Sequence, residues 1–180
     1  MINISGVRYA EAIFLVGTED GTYKEIFNDL NTVIEAINSS DDLNKVLKSP
    51  VVSKEEKKEI IHKIFSSNIN TNLNNFLKIL IEKDRISELD KIQKHYKELL
   101  NEKENIMEGT VTSAVPMNEI DIKELEVKLS TKYSKTIKLN NVVDKSVLGG
   151  ILVKLGNEQI DGTLRTRLAN MRENLSQVIS

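Results

Sequence analysis

The stretch VDKSVLGGILVKLGNEQIDGTLRTRL, Val143 to Leu168, sets Gly149 beside Gly150 inside the apolar run Val147–Leu155, which reads as a strand. Successive strand residues point to opposite faces, so adjacent glycines remove a side chain from each face at one level. The neighbours Val147, Leu148, Ile151, Leu152 and Val153 do not alternate with polar residues, and such a strand requires cover on both sides. Two readings follow. In one, the glycines mark a bulge or admit the next helix at close range. In the other, a second polypeptide completes one face, which requires an exposed apolar patch above a few hundred Å². Gly156-Asn157 is a two-residue turn into EQID, and a helix opens after Asp161-Gly162. That helix is expected to bury Leu164, Leu168, Met171, Leu175 and Val178.

Upstream of this stretch, IMEGTVTSAV (Ile106 to Val115) is rich in β-branched residues and stops at Pro116, the pattern of a strand. Asn118 then caps a helix with Ile122, Leu125, Leu129 and Tyr133 on its inner face, and KTIKLNNVVD forms another strand. Strand, helix, strands and helix in that order make a small α+β domain over residues 106–180.

Residues 1–105 carry a helical period instead. Tyr23, Ile26, Phe27, Leu30, Val33, Ile34 and Ile37 lie on one helix face, with Thr22 and Glu25 placed as a capping box. A shorter helix from Ile4 is expected to stop at Gly17. Its apolar residues run around much of its circumference, so it is either central or keeps a face for a partner. Short helices follow around Leu43–Leu47, around Ile60, Ile61, Ile64 and Phe65 (opened by a Ser53–Glu56 box), and around Leu73–Ile81. A longer one begins at Ser87. The expectation is an all-α six-helix bundle joined by short loops, and an α+β fold for the whole chain.

Composition narrows the function classes. The 180 residues carry 25 Lys plus Arg against 27 Asp plus Glu, which disfavours a general nucleic-acid binder. Without cysteine there is neither a disulfide nor a thiolate metal site. The opening residues lack a signal-peptide pattern, and the longest apolar runs fall far short of the ~20 residues that span a bilayer. A soluble protein is expected, without direct membrane insertion. His62 and His95 lie on separate helices with no partner at metal-ligand spacing. Gly149-Gly150…Gly156 with Lys154 lacks the loop-to-helix setting of a phosphate loop. Acidic pairs such as Asp41-Asp42 and Glu55-Glu56 suit helix starts, and Arg165, Arg167 and Arg172 suit a solvated helix face. No catalytic, cofactor or metal site is expected.

Three segments carry a resemblance: the opening stretch quoted above, RYAEAIF (Arg8 to Phe14), and FLKILIEKDRISELDKIQKHYKELL (Phe76 to Leu100). Together they resemble the delta-subunit family of ATP synthases, bacterial counterparts of the mitochondrial oligomycin-sensitivity-conferring protein. The resemblance implies a non-catalytic stator subunit of a rotary proton-translocating synthase, held peripherally on the cytoplasmic face of the membrane through the complex. It further implies that the first and fifth helices hold an N-terminal helix of an alpha subunit, and that the C-terminal domain grips peripheral-stalk b subunits. Placed on this chain, the groove falls to Tyr9, Ala12, Ile13, Phe76, Leu77 and Leu80. The stalk surface falls to Leu148, Gly149, Gly150, Ile151, Leu152, Val153, Leu164 and Leu168. A free-standing adaptor that takes an amphipathic helix in another assembly would use the same groove without needing the C-terminal stretch.

Overall fold

The computed structural model describes residues 4–65 and 69–179, with side chains described from Gly6 through Arg172 within those ranges. The chain divides after Leu100 into two compact units. The first contains α1 (Ile4–Glu19), α2 (Tyr23–Ser39), α3 (Asp41–Lys48), α4 (Lys54–Phe65), α5 (Thr71–Glu82), a 3-10 turn (Ile86–Glu88) and most of α6 (Leu89–Lys103).

One apolar core joins these helices. Ile26, Leu30 and Val33 of α2, Leu73, Leu77 and Leu80 of α5, and Ile92 and Tyr96 of α6 are fully buried, and α1 adds Ala10 and Ile13. Tyr96 is the largest of them; its hydroxyl donates to the Tyr23 carbonyl at 2.9 Å, and its ring packs edge-on to Phe14 and stacked with Phe27. The hydrogen bond satisfies a polar atom that burial would otherwise leave unpaired, and burial pushes the phenol pKa up.

Local chemistry fixes the helix starts. The Ser53–Glu56 box is complete: the Glu56 carboxylate accepts from the Ser53 amide and the Ser53 hydroxyl accepts from the Glu56 amide. The Ser40 hydroxyl caps α3 and the Asn70 side chain caps α5. Thr22 does not cap α2 through its side chain. Its ψ of 11° departs from the extended conformation that would swing the hydroxyl over the first turn.

Gly17 does not end α1 either; the helix runs through it to Glu19. A Cβ there would lie 2.9 Å from Ile26 Cδ1 and 3.1 Å from the Tyr23 backbone, so Gly17 lets α1 and α2 approach. The turn falls instead at Gly21, whose φ is +71°. On α4 the buried row is Lys57, Ile61 and Phe65, and Ile64, read as inward from its sequence position, is exposed. The long helix opens at Leu89, with Ser87 in the preceding 3-10 turn.

In the second unit β1 (Ile106–Ser113), α7 (Glu119–Tyr133), β2 (Thr136–Val143), β3 (Ile151–Leu155), β4 (Glu158–Asp161) and α8 (Leu164–Ile179) follow in order. The strands lie in the order β2-β1-β3-β4. β1 and β2 are parallel, as a crossover through α7 requires, whereas β3 is antiparallel to β1 and to β4. Asn118 caps α7 by accepting the Asp121 amide. Val111, Leu129, Ile137, Leu139, Val153 and Leu155 form the core between α7 and one sheet face. Register puts Glu108, Thr110, Thr112, Lys138, Leu152 and Lys154 on the other.

The sheet therefore does not present two apolar faces. Leu152 is the lone apolar contribution of β3 to a largely polar surface, because Val147 to Gly150 precede the strand rather than belonging to it. The apolar patch lies elsewhere. Leu164, Leu168 and Met171, expected to be buried, are 47%, 64% and 61% exposed. Leu175 and Val178 lie outside the described side chains.

Candidate partner-binding surfaces

In the first unit, a shallow apolar groove runs between α1 and α5. Ala12, Ile13 and Val16 form one wall, and Asn72, Asn75, Phe76 and Ile79 form the other. The spacing 12–13–16 and 72–75–76–79 is what aligns side chains along one face of each helix. Each helix also turns apolar residues inward: Ala10 on α1, and Leu73, Leu77 and Leu80 on α5, are fully buried. The floor of the groove is thus the outer surface of the core, and Ile13 and Phe76 serve both, at 4% and 7% exposure. Tyr9 closes one end, its ring edge-on to Phe76 at 6.3 Å. Val16 and Ile79 are exposed, as is Leu15, the residue before Val16 in α1.

Of the six side chains placed in this groove from sequence, Ala12, Ile13 and Phe76 line it and Tyr9 adjoins it. Leu77 and Leu80 do not line it. One-face periodicity cannot distinguish the inward side of a doubly apolar helix from its outward side, and both leucines point inward. The sequence reading missed Val16, Ile79 and the two asparagines. Val16 and Ile79 are apolar residues off the main stripe of their helices, and that is the signal they carried.

In the second unit, the glycine pair forms a clasp at the base of α8. The Gly149 carbonyl accepts from the Leu164 amide at 2.9 Å, and the Ile151 carbonyl accepts from the Gly162 amide at 2.9 Å. Gly150 has φ +80°, and a Cβ on it would lie 2.3 Å from the Gly162 carbonyl oxygen. A Cβ on Gly149 would meet Leu164 Cδ1 at 2.7 Å. Gly150 is therefore required by its positive φ and by the close approach of the Gly162 backbone, whereas Gly149 makes room for the Leu164 side chain. Asp161 completes the joint by accepting from the Thr163 amide at 2.9 Å and the Thr166 hydroxyl at 2.8 Å. The Thr163 and Thr166 bonds hold its carboxyl below the usual carboxylate range.

Beyond this joint α8 offers its side chains to solvent. From Leu164 to Arg172 every residue except Thr166 is exposed. Leu164, Leu168 and Met171 recur at i, i+4 and i+7, one apolar stripe flanked by Arg165, Arg167 and Arg172. Leu148, at 74% exposure, sits one residue before the clasp. Of the residues assigned to this surface from sequence, Leu148, Leu164 and Leu168 are exposed, and Gly149 and Gly150 hold the joint. Ile151 and Leu152 are half-buried. Val153 is 2% exposed in the core beneath α7 and cannot meet a partner, because its place in the strand turns it to the covered face. Met171 was recognised as apolar but read as buried.

Among the described residues, no group of three or more His, Cys, Asp and Glu side chains is placed to hold a metal. His95 pairs with Glu98 on its own helix at 2.8 Å. No helix among the described residues is long and apolar enough to cross a membrane.

Comparison with known proteins follows the same lines. The family model described as ATP synthase delta (OSCP) subunit matches residues 6–175. The chain is 55% identical to the ATP synthase subunit delta of Clostridioides difficile over the full length of both. It is 40% identical to that of Alkaliphilus metalliredigens over 99% of each. A chain in the cryo-EM structure of the Toxoplasma gondii mitochondrial ATP synthase hexamer shares the fold, with a TM-score of 0.67 over 97% of each chain at 20% identity.

Proposed function

The chain belongs to the ATP synthase delta (OSCP) subunit family and is a non-catalytic stator subunit associated with the synthase; from that premise we propose how its two surfaces divide the work. The first unit, as a six-helix bundle, takes an amphipathic N-terminal helix of an alpha subunit into the α1–α5 groove. The second unit presents the α8 stripe, with Leu148 at its base, to the b subunits of the peripheral stalk. Held by both, the protein lies on the cytoplasmic side of the membrane without entering it.

The apolar groove between α1 and α5 is the observation that carries this reading. An amphipathic helix buries its stripe in such a groove through anchors one turn apart. Phe76, Ile79, Ala12 and Val16 offer the complementary surface, while Asn72 and Asn75 supply polar groups that fix the helix register. On α8, the arginines flanking the stripe favour an acidic or amide-rich stalk segment.

The physical task is to keep the catalytic head from turning with the rotor. With association near 10⁶ M⁻¹s⁻¹, a complex of roughly nanomolar affinity dissociates at about 10⁻³ s⁻¹, slowly compared with turnover. Such affinity calls for about 1,600 Å² of total interface with well-packed anchors. Contacts at both surfaces work as a set, each raising the local concentration of the other partner.

Titration of the isotope-labelled full chain with a peptide of an alpha-subunit N-terminus tests the assignment. Saturable chemical-shift changes confined to α1 and α5 are expected. Changes centred on α8, or none at all, would overturn it.

A further inference from the structure

The buried row of α4 contains a lysine where helical spacing calls for an apolar residue. Lys57 is 7% exposed, on the same face as Ile61 and Phe65. It lines a cleft of about 240 Å³ that shares no residue with the α1–α5 groove. The cleft floor is apolar, formed by Leu47, Ile81 and Ile86, and its rim carries Lys48, Ser49, Asp84 and Ser87. Removing an ammonium from water costs several kcal/mol unless negative charge or acceptors replace the lost hydration. Among the residues lining the cleft, Asp84 carries the carboxylate, and Lys57 is the smallest of the influences on it. Asp84 is already ion-paired with Lys54 at 2.7 Å and is itself exposed, so its charge is shared and well hydrated. Lys58, the next lysine on α4, is engaged with Glu82 at 3.2 Å. Two ammonium groups and two hydroxyls thus surround a cleft that holds a single carboxylate.

We propose that this cleft binds a small proton-bearing oxyanion, of which inorganic phosphate is the simplest. Lys57 and Lys48 supply charge and donors, Ser49 and Ser87 donate hydroxyl hydrogen bonds, and Asp84 accepts from the anion's own O–H. The donors suit a tetrahedral oxyanion. The single carboxylate repels a fully deprotonated anion and favours one that keeps a hydrogen to give. The site therefore selects hydrogen phosphate over sulfate, which has equal charge and shape at neutral pH but no proton to donate.

The test is a titration of the isotope-labelled full chain with inorganic phosphate, and separately with sulfate at matched ionic strength. Saturable amide shifts at Ser49, Lys57 and Ser87 are expected with phosphate, with sulfate binding on the order of tenfold weaker. Lys57→Met keeps the stem and removes the charge; it should abolish saturation while leaving the spectra of α1 and of the second unit intact. Ser87→Ala, an exposed substitution that does not threaten folding, should weaken phosphate binding several-fold. Asp84→Asn should erase the preference by improving sulfate binding. The proposal fails if the shifts rise linearly with concentration and spread over surface lysines, if sulfate and phosphate act alike on the native chain, or if Lys57→Met and Ser87→Ala still bind as the native chain does.

Discussion

The two candidate binding surfaces are built in opposite ways. The α1–α5 groove is the reverse side of a core: each wall is a helix whose other face is packed, and the floor residues Ile13 and Phe76 are nearly buried. The α8 stripe stands on a helix whose described side chains are almost all exposed, fastened at its first turn by Asp161 and the glycine clasp. The groove is formed before anything binds, so a partner meets a surface whose ordering entropy has already been spent in folding. Most helical stability in proteins comes from tertiary packing of an apolar face, and on α8 the described apolar stripe is left unpacked within the chain. In the proposed division of labour, one surface receives a helix and the other completes one.

This contrast is sharpest in stability. Leu77→Ala removes a fully buried side chain beneath the groove and should destabilise the first unit by about 2–5 kcal/mol, read as a shifted urea midpoint for its helical signal. Gly150→Ala strikes the second unit. The new Cβ meets the Gly162 carbonyl oxygen at 2.3 Å with φ at +80°, so the clasp must open. A loss of roughly 1–3 kcal/mol is expected, with faster amide exchange at Gly162 and Leu164 and none of the change at Leu77.

Surface substitutions should separate binding from folding. Ala12→Asp and Leu168→Asp each place a charge on an exposed position, and each should leave the urea midpoints within about 0.5 kcal/mol. Ala12→Asp should weaken an alpha-subunit N-terminal peptide at least tenfold without affecting a stalk peptide, and Leu168→Asp should do the reverse. If either variant weakens both peptides equally in calorimetric titration, the division of labour between the units is broken.

The smallest effect concerns pH. Asp161 has a folded pKa held below its unfolded value by its bonds to Thr163 and Thr166. It therefore contributes stability above the unfolded carboxylate pKa of about 3.9 that is lost as pH falls through the lower folded value. Amide exchange across the first turn of α8 should accelerate on acidification through that range. Asp161→Asn, which cannot titrate, should flatten the response.

Much of this was legible in the residues. The Ser53–Glu56 box, the Asn118 cap, the inner face of α7 and the change of period near Ile106 follow from local rules that tertiary packing did not override. What escaped reading was decided by distant neighbours. Gly17 carries every mark of a helix stop, but its role is set by Ile26 and Tyr23 across the helix pair. Gly149 and Gly150 sit in an apolar run, yet the groups that require them are the backbone of Gly162 and the side chain of Leu164. Val153 and Leu152 are adjacent apolar residues, and only pairing with β1 decides which is core. At the candidate sites the chemistry of the helices was readable, whereas the outward side of α5 was not, because both of its sides are apolar.

The position of the clasp has a mechanical consequence. The Gly162 amide ties the foot of α8 to Ile151 at the start of β3, and β3 lies inside the sheet with a hydrogen-bonded neighbour on each side. A pull along α8 runs through the backbone into β4, the edge strand, and the Gly162–Ile151 bond ties that entry point to an interior strand, so the clasp is what resists peeling the edge away bond by bond.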